Sequence, residues 1–271
     1  MLTTTFIMAL AGLSTLIEAS PILPRGTGNK RGLAFPKQDD KGVAGSKYTH
    51  SFAGSNKISW MYDWEAVIDG EALDLEYVPL LHSNQEWCAS TWTNNVANAR
   101  KNYKVTSLLS FNEPDESGAG GSNMDVGTAV ETHRKLIQPF AGDLRIGSPA
   151  VTNGNEPGKG INWLKSFMSG CSDCKIDFVV AHYYSWDKAE DFKNYLRKFH
   201  DTFNKPVWVT EFGVTSGDAE NFLKEVLPWM DAQPWIERYA YHMAAPSTDQ
   251  KYLISADGQN LSSIGKIFAT A

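Results

Sequence analysis

Eight short apolar runs recur along the chain, and their number and spacing constrain the fold more than any other feature. Their starts are roughly thirty residues apart, the distance that a strand and its crossover need. Runs of this kind separated by helical or loop material indicate parallel βαβ units. Eight such units in about 240 residues are typical of a TIM barrel. The sequence therefore predicts an α/β fold, a single-domain (β/α)8 barrel over 31–271, with strands at 31–35, 57–64, 74–81, 105–111, 145–151, 176–184, 206–212 and 238–244.

Most segments between the runs have the spacing of amphipathic helices. Apolar residues three and four positions apart predict helices at 84–102, 124–140, 186–203 and 219–233. The crossover at 65–73 is too short for a full helix, and we expect a turn with one or two helical turns. A doubly wound sheet is the competing fold. It is disfavoured because PKQDD, rather than a glycine-rich phosphate loop, follows the first run.

The N-terminal segment differs from the rest of the chain. Residues 1–19 carry an apolar stretch followed by small residues, which predicts a signal peptide. The stretch is too short to span a membrane, so we expect no membrane partner. Pro and Gly in 20–30 predict a flexible lead-in. We expect a monomer that is secreted or held in the cell wall.

Charge and cysteine usage narrow the range of partners. A net charge of −6 without a basic cluster argues against nucleic acid. Cys171 and Cys174 form a C-x-x-C pair, which in a secreted chain indicates a disulfide-closed turn, with a redox pair or half a zinc site as alternatives. No second pair or histidine cluster completes a zinc site, so we expect no metal and no cofactor. Cys88 is left as a buried free thiol, and Asn260 begins a glycosylation sequon.

Two of the runs end in a carboxylate, and this pairing points to a reaction. In a TIM barrel the active site lies at the C-terminal ends of the strands. Asn112 and Glu113 directly follow the fourth run, and Glu211 lies at the end of the seventh. Strands three apart in a ring of eight face each other across the mouth. Long glutamate side chains reaching in could bring the carboxyls to about 5 Å, the separation for retaining glycoside hydrolysis. The other strand ends carry rings suited to sugar binding, namely Trp60, Tyr62, Trp64, His82, His182, Tyr184, Tyr239 and Tyr241.

Seven segments resemble glycoside hydrolase family 128, whose domain is also called the alkali-sensitive-linkage-protein-like glycosyl hydrolase catalytic domain. They are RGLAF, ISWMYDW, YVPLLHS, LLSFNEPD, IGSPAV, DFVVAHYY and VWVTEFG, in the order and spacing of the family, and the resemblance covers 31–269. Asn-Glu on the fourth strand with Glu on the seventh is also the signature of the large retaining glycosidase clan on such barrels. The resemblance implies a fungal-type β-1,3-glucanase that acts on a β-glucan polysaccharide or oligosaccharide.

The resemblance also implies roles for individual residues. Glu113 would be the general acid/base and Glu211 the nucleophile, with Tyr184 orienting Glu211. Asn112 would bind the sugar 2-hydroxyl, and His182 would help to shape the same subsite. The remaining substrate-binding residues that it implies are Trp60, Tyr62, His82 and Tyr241.

Three positions depart from the family pattern and leave the cleavage mode open. His82, Tyr183 and Tyr241 stand where the family often has Trp, so the number of subsites and the choice of endo or exo cleavage are undecided. Three alternative functions also stay open. They are a non-hydrolytic cell-wall glucan-binding protein, the same chemistry on another β-glycan such as β-1,6-glucan or β-mannan, and transglycosylation with a sugar as acceptor.

Overall fold

Eight parallel strands curl into a barrel and alternate with helices, which confirms the predicted fold. The computed structural model describes residues 29–118, 120–248 and 251–271. The strands follow the order β3-β2-β1-β8-β7-β6-β5-β4 around the sheet. They are β1 (Arg31–Ala34), β2 (Ile58–Tyr62), β3 (Glu76–Tyr77), β4 (Ser107–Asn112), β5 (Arg145–Val151), β6 (Phe178–Trp186), β7 (Val207–Ser216) and β8 (Ile236–Tyr241).

The ring closes between β3 and β4 through the segment that follows β3. β3 has only 2 residues, although the run at 74–81 predicts a longer strand. Pro79 lies in that run and has no backbone N–H to donate to a sheet. The Pro79 carbonyl still accepts from the Leu109 amide at 2.9 Å, and the His82 carbonyl accepts from the Asn112 amide at 3.0 Å. These bonds bring the ends of β3 and β4 side by side at the mouth.

Seven α-helices lie in the described part of the chain. They are α1 (Glu86–Ala89), α2 (Trp92–Asn102), α3 (Val126–Thr132), α4 (Gly160–Gly170), α5 (Ala189–Phe203), α6 (Ala219–Ala232) and α7 (Ser263–Thr270), and a 3-10 helix covers Gly45–Phe52. α5 and α6 confirm the predictions at 186–203 and 219–233. None of the helices in these described ranges is long and apolar enough to cross a membrane.

Three of the predicted crossovers differ from the observed ones. The helix predicted at 84–102 breaks into α1 and α2, and the one at 124–140 passes from α3 into a π turn and a 3-10 turn that contains Pro139. The helical turns predicted at 65–73 are wrong, because that segment has no helix and Gly70 turns the chain with a φ of 77°. The predicted signal peptide, 1–19, and most of the lead-in lie outside the described residues.

The three cysteines and the glycosylation sequon lie outside the eight strands of the barrel. A disulfide joins Cys171 to Cys174 just after α4. Cys88 is a free thiol in α1 and is half-buried, where the sequence predicted a buried one. Asn260 is exposed, so its side chain is accessible to a glycosyltransferase.

Stacked aromatic rings fill the N-terminal half of the barrel interior. Phe178 and Trp208 stack with ring centroids 3.9 Å apart, and Trp60 packs on Trp208 at 5.5 Å. The Arg238 guanidinium lies 4.5 Å from the centre of the Trp208 ring and forms two hydrogen bonds, of 3.0 and 2.8 Å, with the Glu76 carboxylate. This filled half leaves only the C-terminal end of the barrel open for a ligand.

Gly32 on β1 has no room for a side chain because the Trp60 indole lies against it. A Cβ built at Gly32 would meet the Trp60 ring at 2.2 Å. We expect Gly32→Ala to lower the free energy of unfolding by about 1–3 kcal/mol, because the enclosed indole must move. Urea denaturation followed by tryptophan fluorescence measures the change. Gly142→Ala, which meets nothing within 4 Å, is the matched control, and equal unfolding midpoints for the two variants would contradict the expectation.

Candidate active site

The fourth and seventh strands bring two carboxylates together at the mouth of the barrel. Glu113 follows the last residue of β4 with a left-handed φ of 39°, and its amide donates to the Ala150 carbonyl at 2.9 Å. Glu211 lies within β7, opposite His182 of β6. An oxygen of each carboxylate and a ring nitrogen of His182 all lie within 4.8 Å of one another, and all three side chains are buried.

A bulge in β7 turns Glu211 toward this cluster. Val209 pairs with Ala181 and Glu211 pairs with His182, so Thr210 is an extra residue with no partner position on β6. Consecutive side chains of a regular strand point to opposite faces, but a bulge breaks this alternation. As a result the Thr210 hydroxyl and the Glu211 carboxylate both reach the His182 ring, at 2.9 and 3.5 Å.

His182 lies beneath the two carboxylates and joins them. Its Nδ1 lies 2.9 Å from Oε1 of Glu113, and its Nε2 lies 2.9 Å from Oγ1 of Thr210. Burial lowers the pKa of His182, but the charge of Glu211 and the hydrogen bond to Glu113 outweigh it, so the pKa is raised. The side chain is 1% exposed. Sequence reasoning placed His182 at the sugar, whereas the structure encloses it behind the carboxylates with both ring nitrogens engaged.

Two hydrogen bonds hold the Glu211 carboxylate. The Tyr184 hydroxyl donates to Oε2 at 2.5 Å, as its implied orienting role requires, and Nε1 of Trp64 donates to Oε1 at 2.6 Å. Burial raises the pKa of Glu211, but His182, His242 and these two donors outweigh that effect and lower it. Trp64 lies just beyond β2 and continues the two-residue spacing of Trp60 and Tyr62 in the sequence, although the family resemblance implies no role for it.

Asn112 and His82 form the wall on the β3–β4 side of the site. Asn112 Nδ2 donates to the Gly120 carbonyl at 3.2 Å. Oδ1 of Asn112 and Nδ1 of His82 are both buried, and neither has a hydrogen-bond partner among the described residues. The His82 ring lies 5.4 Å from the ring of Trp87. The wall therefore offers two hydrogen-bonding atoms that a ligand can satisfy.

Three rings that were predicted to line the cleft are enclosed instead. Trp60, Tyr62 and Tyr241 are each 0% exposed. Trp60 lies in the filled N-terminal half, where its Nε1 donates to the Lys30 carbonyl at 2.9 Å. Tyr62 lies below Trp64, with ring centroids 5.1 Å apart, and donates to the Thr210 carbonyl. The prediction of these three as cleft residues is therefore wrong.

His242 takes the position at the mouth that was predicted for Tyr241. Tyr241 faces outward and packs on Phe212 at 5.2 Å, because the inward positions of this segment are Ala240 and His242. The His242 ring meets the rings of Trp64 and Tyr184 edge-on at 5.5 and 5.6 Å. Burial lowers the pKa of His242. Alternation along this segment is the sequence signal for His242, whereas the prediction of Tyr241 follows from the family resemblance.

Two residue sets in the described part of the chain bring three possible metal ligands within 4.8 Å of one another. In the first set, Glu113, His182 and Glu211, the ligand atoms already bond to one another, to Tyr184 and to Trp64. In the second set, Cys171 and Cys174 share a disulfide, and both ring nitrogens of His133 have polar neighbours at 3.0 Å. Both sets are thus explained by bonds within the protein.

Comparison with known proteins places this barrel in a family. Residues 32–268 match the family model described as glycosyl hydrolase catalytic core. The chain is 33% identical over 261 residues to alkali-sensitive linkage protein 1 of Schizosaccharomyces pombe, covering 88% of this chain and 44% of that protein. It therefore spans less than half the length of this curated relative.

Solved structures resemble the chain over most of its length. A curdlan-specific exo-β-1,3-glucanase of family 128, subgroup III, from Blastomyces gilchristii, in complex with glucose, is 35% identical with a TM-score of 0.75, covering 89% of this chain and 98% of that one. A subgroup I endo-β-1,3-glucanase from Amycolatopsis mediterranei, in complex with laminarihexaose, is 25% identical with a TM-score of 0.70, covering 89% and 99%. The chain therefore belongs to the glycosyl hydrolase catalytic core family and, within it, to glycoside hydrolase family 128.

Proposed function

We propose that this chain is a retaining glycoside hydrolase that cleaves β-1,3-glucan by double displacement. The observation that carries the proposal is the pair of buried carboxylates, Glu113 and Glu211, with oxygens within 4.8 Å of each other at the mouth of the barrel. Retaining glycosidases keep their two carboxyl groups about 5–5.5 Å apart, whereas inverting ones need room for a water molecule between carboxylate and sugar. The β-1,3-glucanases among its relatives support the same linkage.

Glu211 is the nucleophile in this proposal. Its lowered pKa keeps the carboxylate ionised, and the donors on Tyr184 and Trp64 fix its two oxygens. Attack on the anomeric carbon breaks the bond to the departing sugar and forms a glycosyl ester with Glu211. The two donors remain on the carboxyl group as its charge moves into the new bond.

Glu113 acts as general acid and then as general base. In the first step it gives a proton to the departing glycosidic oxygen, and in the second it takes a proton from the water that releases the sugar. His182, 2.9 Å from Oε1 of Glu113, holds this carboxyl in place through both steps. Oδ1 of Asn112, which has no partner among the described residues, accepts from the sugar 2-hydroxyl.

Product analysis tests the proposal directly. We expect the purified chain to release reducing sugar from laminari-oligosaccharides, and nuclear magnetic resonance to detect the β-anomer before mutarotation. Initial formation of the α-anomer would contradict a retaining mechanism. Binding to insoluble glucan without any release of sugar would instead support a non-hydrolytic binding protein.

A panel of defined oligosaccharides separates the remaining alternatives. Substrates with β-1,3, β-1,6 and β-mannosyl linkages distinguish the glycan, and products longer than the substrate reveal transglycosylation. The product lengths from labelled laminarihexaose report endo or exo cleavage. We further propose that the protein works outside the cell or in its wall, and N-terminal sequencing of protein from culture medium and wall extracts tests this.

Tyr184→Phe is expected to move the acidic limb of the pH profile of kcat/KM to higher pH. The Tyr184 hydroxyl stabilises the ionised form of Glu211, so removing the hydroxyl raises the pKa of Glu211. When the pH is lowered, Glu211 is then protonated, and activity lost, at a higher pH than in the wild type. Loss of one such hydrogen bond corresponds to a shift of about one pH unit. Tyr183→Phe, on the opposite face of β6, is the control. An unshifted limb in Tyr184→Phe would show that this hydroxyl does not tune Glu211.

A further inference from the structure

We propose that Trp87 and His82 form a platform that binds a glucosyl unit adjacent to the one being cleaved, on the β3 side of the site. The inference rests on the proposed function and extends it to a second sugar position. Trp87 was not among the residues that the sequence suggested as substrate-binding.

Trp87 is an exposed aromatic ring whose orientation is fixed. Trp87 is 51% exposed. The other large hydrophobic residues that are exposed in the described part of the chain are Val67 and Trp186. Nε1 of Trp87 donates to Oε1 of Gln85 at 2.7 Å, and the ring packs on that of His82 at a tilt of 48°. The indole is therefore held at both its polar edge and its apolar surface while it stays open to solvent.

A continuous chain of contacts links Trp87 to the acid/base. Its ring contacts His82, whose carbonyl accepts from the Asn112 amide, and Glu113 follows directly. Nδ1 of His82 and Oδ1 of Asn112 on this wall are buried without a hydrogen-bond partner among the described residues. Buried polar atoms are normally paired, so these two atoms are available to a water molecule or to a hydroxyl group of a ligand.

The chemistry of this wall matches a neutral sugar ring. Pyranose rings present C–H groups on their faces and hydroxyl groups at their edges, so they pack on an aromatic face and hydrogen-bond at its border. Because Gln85 occupies the indole N–H, Trp87 offers its face, while His82 offers a nitrogen at the edge. A glucosyl unit next to the scissile bond meets both groups, and no charge on the ligand is needed.

Binding to a hydrolytically silenced enzyme tests the platform. In a Glu211→Gln background, in which hydrolysis is expected to be at least about 10⁴-fold slower, calorimetric titration of laminarihexaose measures affinity with little turnover. We expect Trp87→Ala to weaken this binding about tenfold, the loss of one aromatic contact, and Trp87→Tyr to recover most of it. Glucose, which fills a single position, is expected to bind equally with and without Trp87. Unchanged laminarihexaose affinity in Trp87→Ala would overturn the platform.

Trp186→Ala is the matched control. Trp186 is an even more exposed tryptophan at the same end of the barrel, on β6, and it has no ring contact with a site residue among those described. An equal loss of affinity in Trp186→Ala would overturn the assignment to Trp87, because it would reflect general exposure of tryptophan at the mouth. If the parent background binds no β-1,3-glucan, the proposed function fails as well. If the parent background and its Trp87→Ala variant bind laminarihexaose equally well, the platform fails but the proposed function does not.

Discussion

Glu211→Gln is expected to lower the rate of β-1,3-glucan hydrolysis roughly 10⁴-fold or more, because the amide cannot form the glycosyl ester. The substitution preserves the shape of the side chain, so the melting temperature should change little. Release of reducing sugar from laminarihexaose at saturating substrate measures the effect. Wild-type turnover by the purified, folded variant would contradict the assignment of Glu211 as nucleophile.

Glu113→Gln is expected to cost about 10²- to 10⁴-fold on the same substrate, the usual contribution of a general acid–base group. The loss should be much smaller on an aryl glucoside whose leaving group departs without a proton. Glu116→Gln is the matched control, since Glu116 lies in the same loop but pairs with Lys159 at 2.6 Å. A loss in Glu116→Gln as large as that in Glu113→Gln would argue against a specific role for Glu113.

Added azide distinguishes the roles of the two carboxylates by product stereochemistry. In Glu211→Ala, azide can enter the space of the missing carboxylate and displace the phenolate of an aryl β-glucoside, which gives an α-glycosyl azide. In Glu113→Ala, the same aryl glucoside forms the ester on Glu211 with loss of phenolate, and azide then displaces Glu211 from the opposite face and gives a β-glycosyl azide. Identical anomers from both variants would contradict the double-displacement assignment.

Arg238→Ala is expected to lower the free energy of unfolding by about 3–5 kcal/mol, because it leaves the Glu76 carboxylate buried without its partner. The side chains of Arg238 and Glu76 are only 19% and 8% exposed and form two hydrogen bonds. The guanidinium also packs on the face of Trp208. Urea denaturation of the purified variant measures the loss.

Arg100→Ala supplies the matched control for the buried pair. Arg100 and Asp143 also form an ion pair, but their side chains are 42% and 67% exposed, and exposed pairs contribute about 0–1 kcal/mol. Replacing both Glu76 and Arg238 by Met should recover most of the stability lost in the single variant. If Arg238→Ala lowered the free energy of unfolding by less than Arg100→Ala does, the Glu76–Arg238 pair would not stabilise the filled half of the barrel.

The carboxylate pair was readable from the sequence because its signal is local. An apolar run that ends in a carboxylate identifies a strand end, and strand count then places Glu113 opposite Glu211. Depth in the barrel has no such signal. Trp60 and Tyr62 share an inward face with Trp64, but only the last of the three reaches the mouth. Tyr241 faces outward, contrary to its prediction, which follows the family resemblance and not the alternation along the strand.

The neighbours of Glu113 and Glu211 depend on irregular backbone that a sequence pattern does not describe. Trp64 has a left-handed φ of 61°, outside any regular strand. Trp87 contacts His82 from the short α1, which ends before α2 begins, whereas the sequence predicts one unbroken helix over 84–102. Sequence periodicity assumes unbroken elements, so residues placed by such breaks are missed.

The bulge at Thr210 makes the orientation of Glu211, the proposed nucleophile, depend on the number of residues in β7 as well as on their identity. Ala181 and His182 are consecutive on β6, whereas Val209 and Glu211 opposite them are not. Substitution scans keep the chain length constant and therefore leave this constraint unexamined, whereas single-residue insertions and deletions act on it directly. For the same reason, a designer who transplants this glutamate to another barrel must carry the extra residue with it.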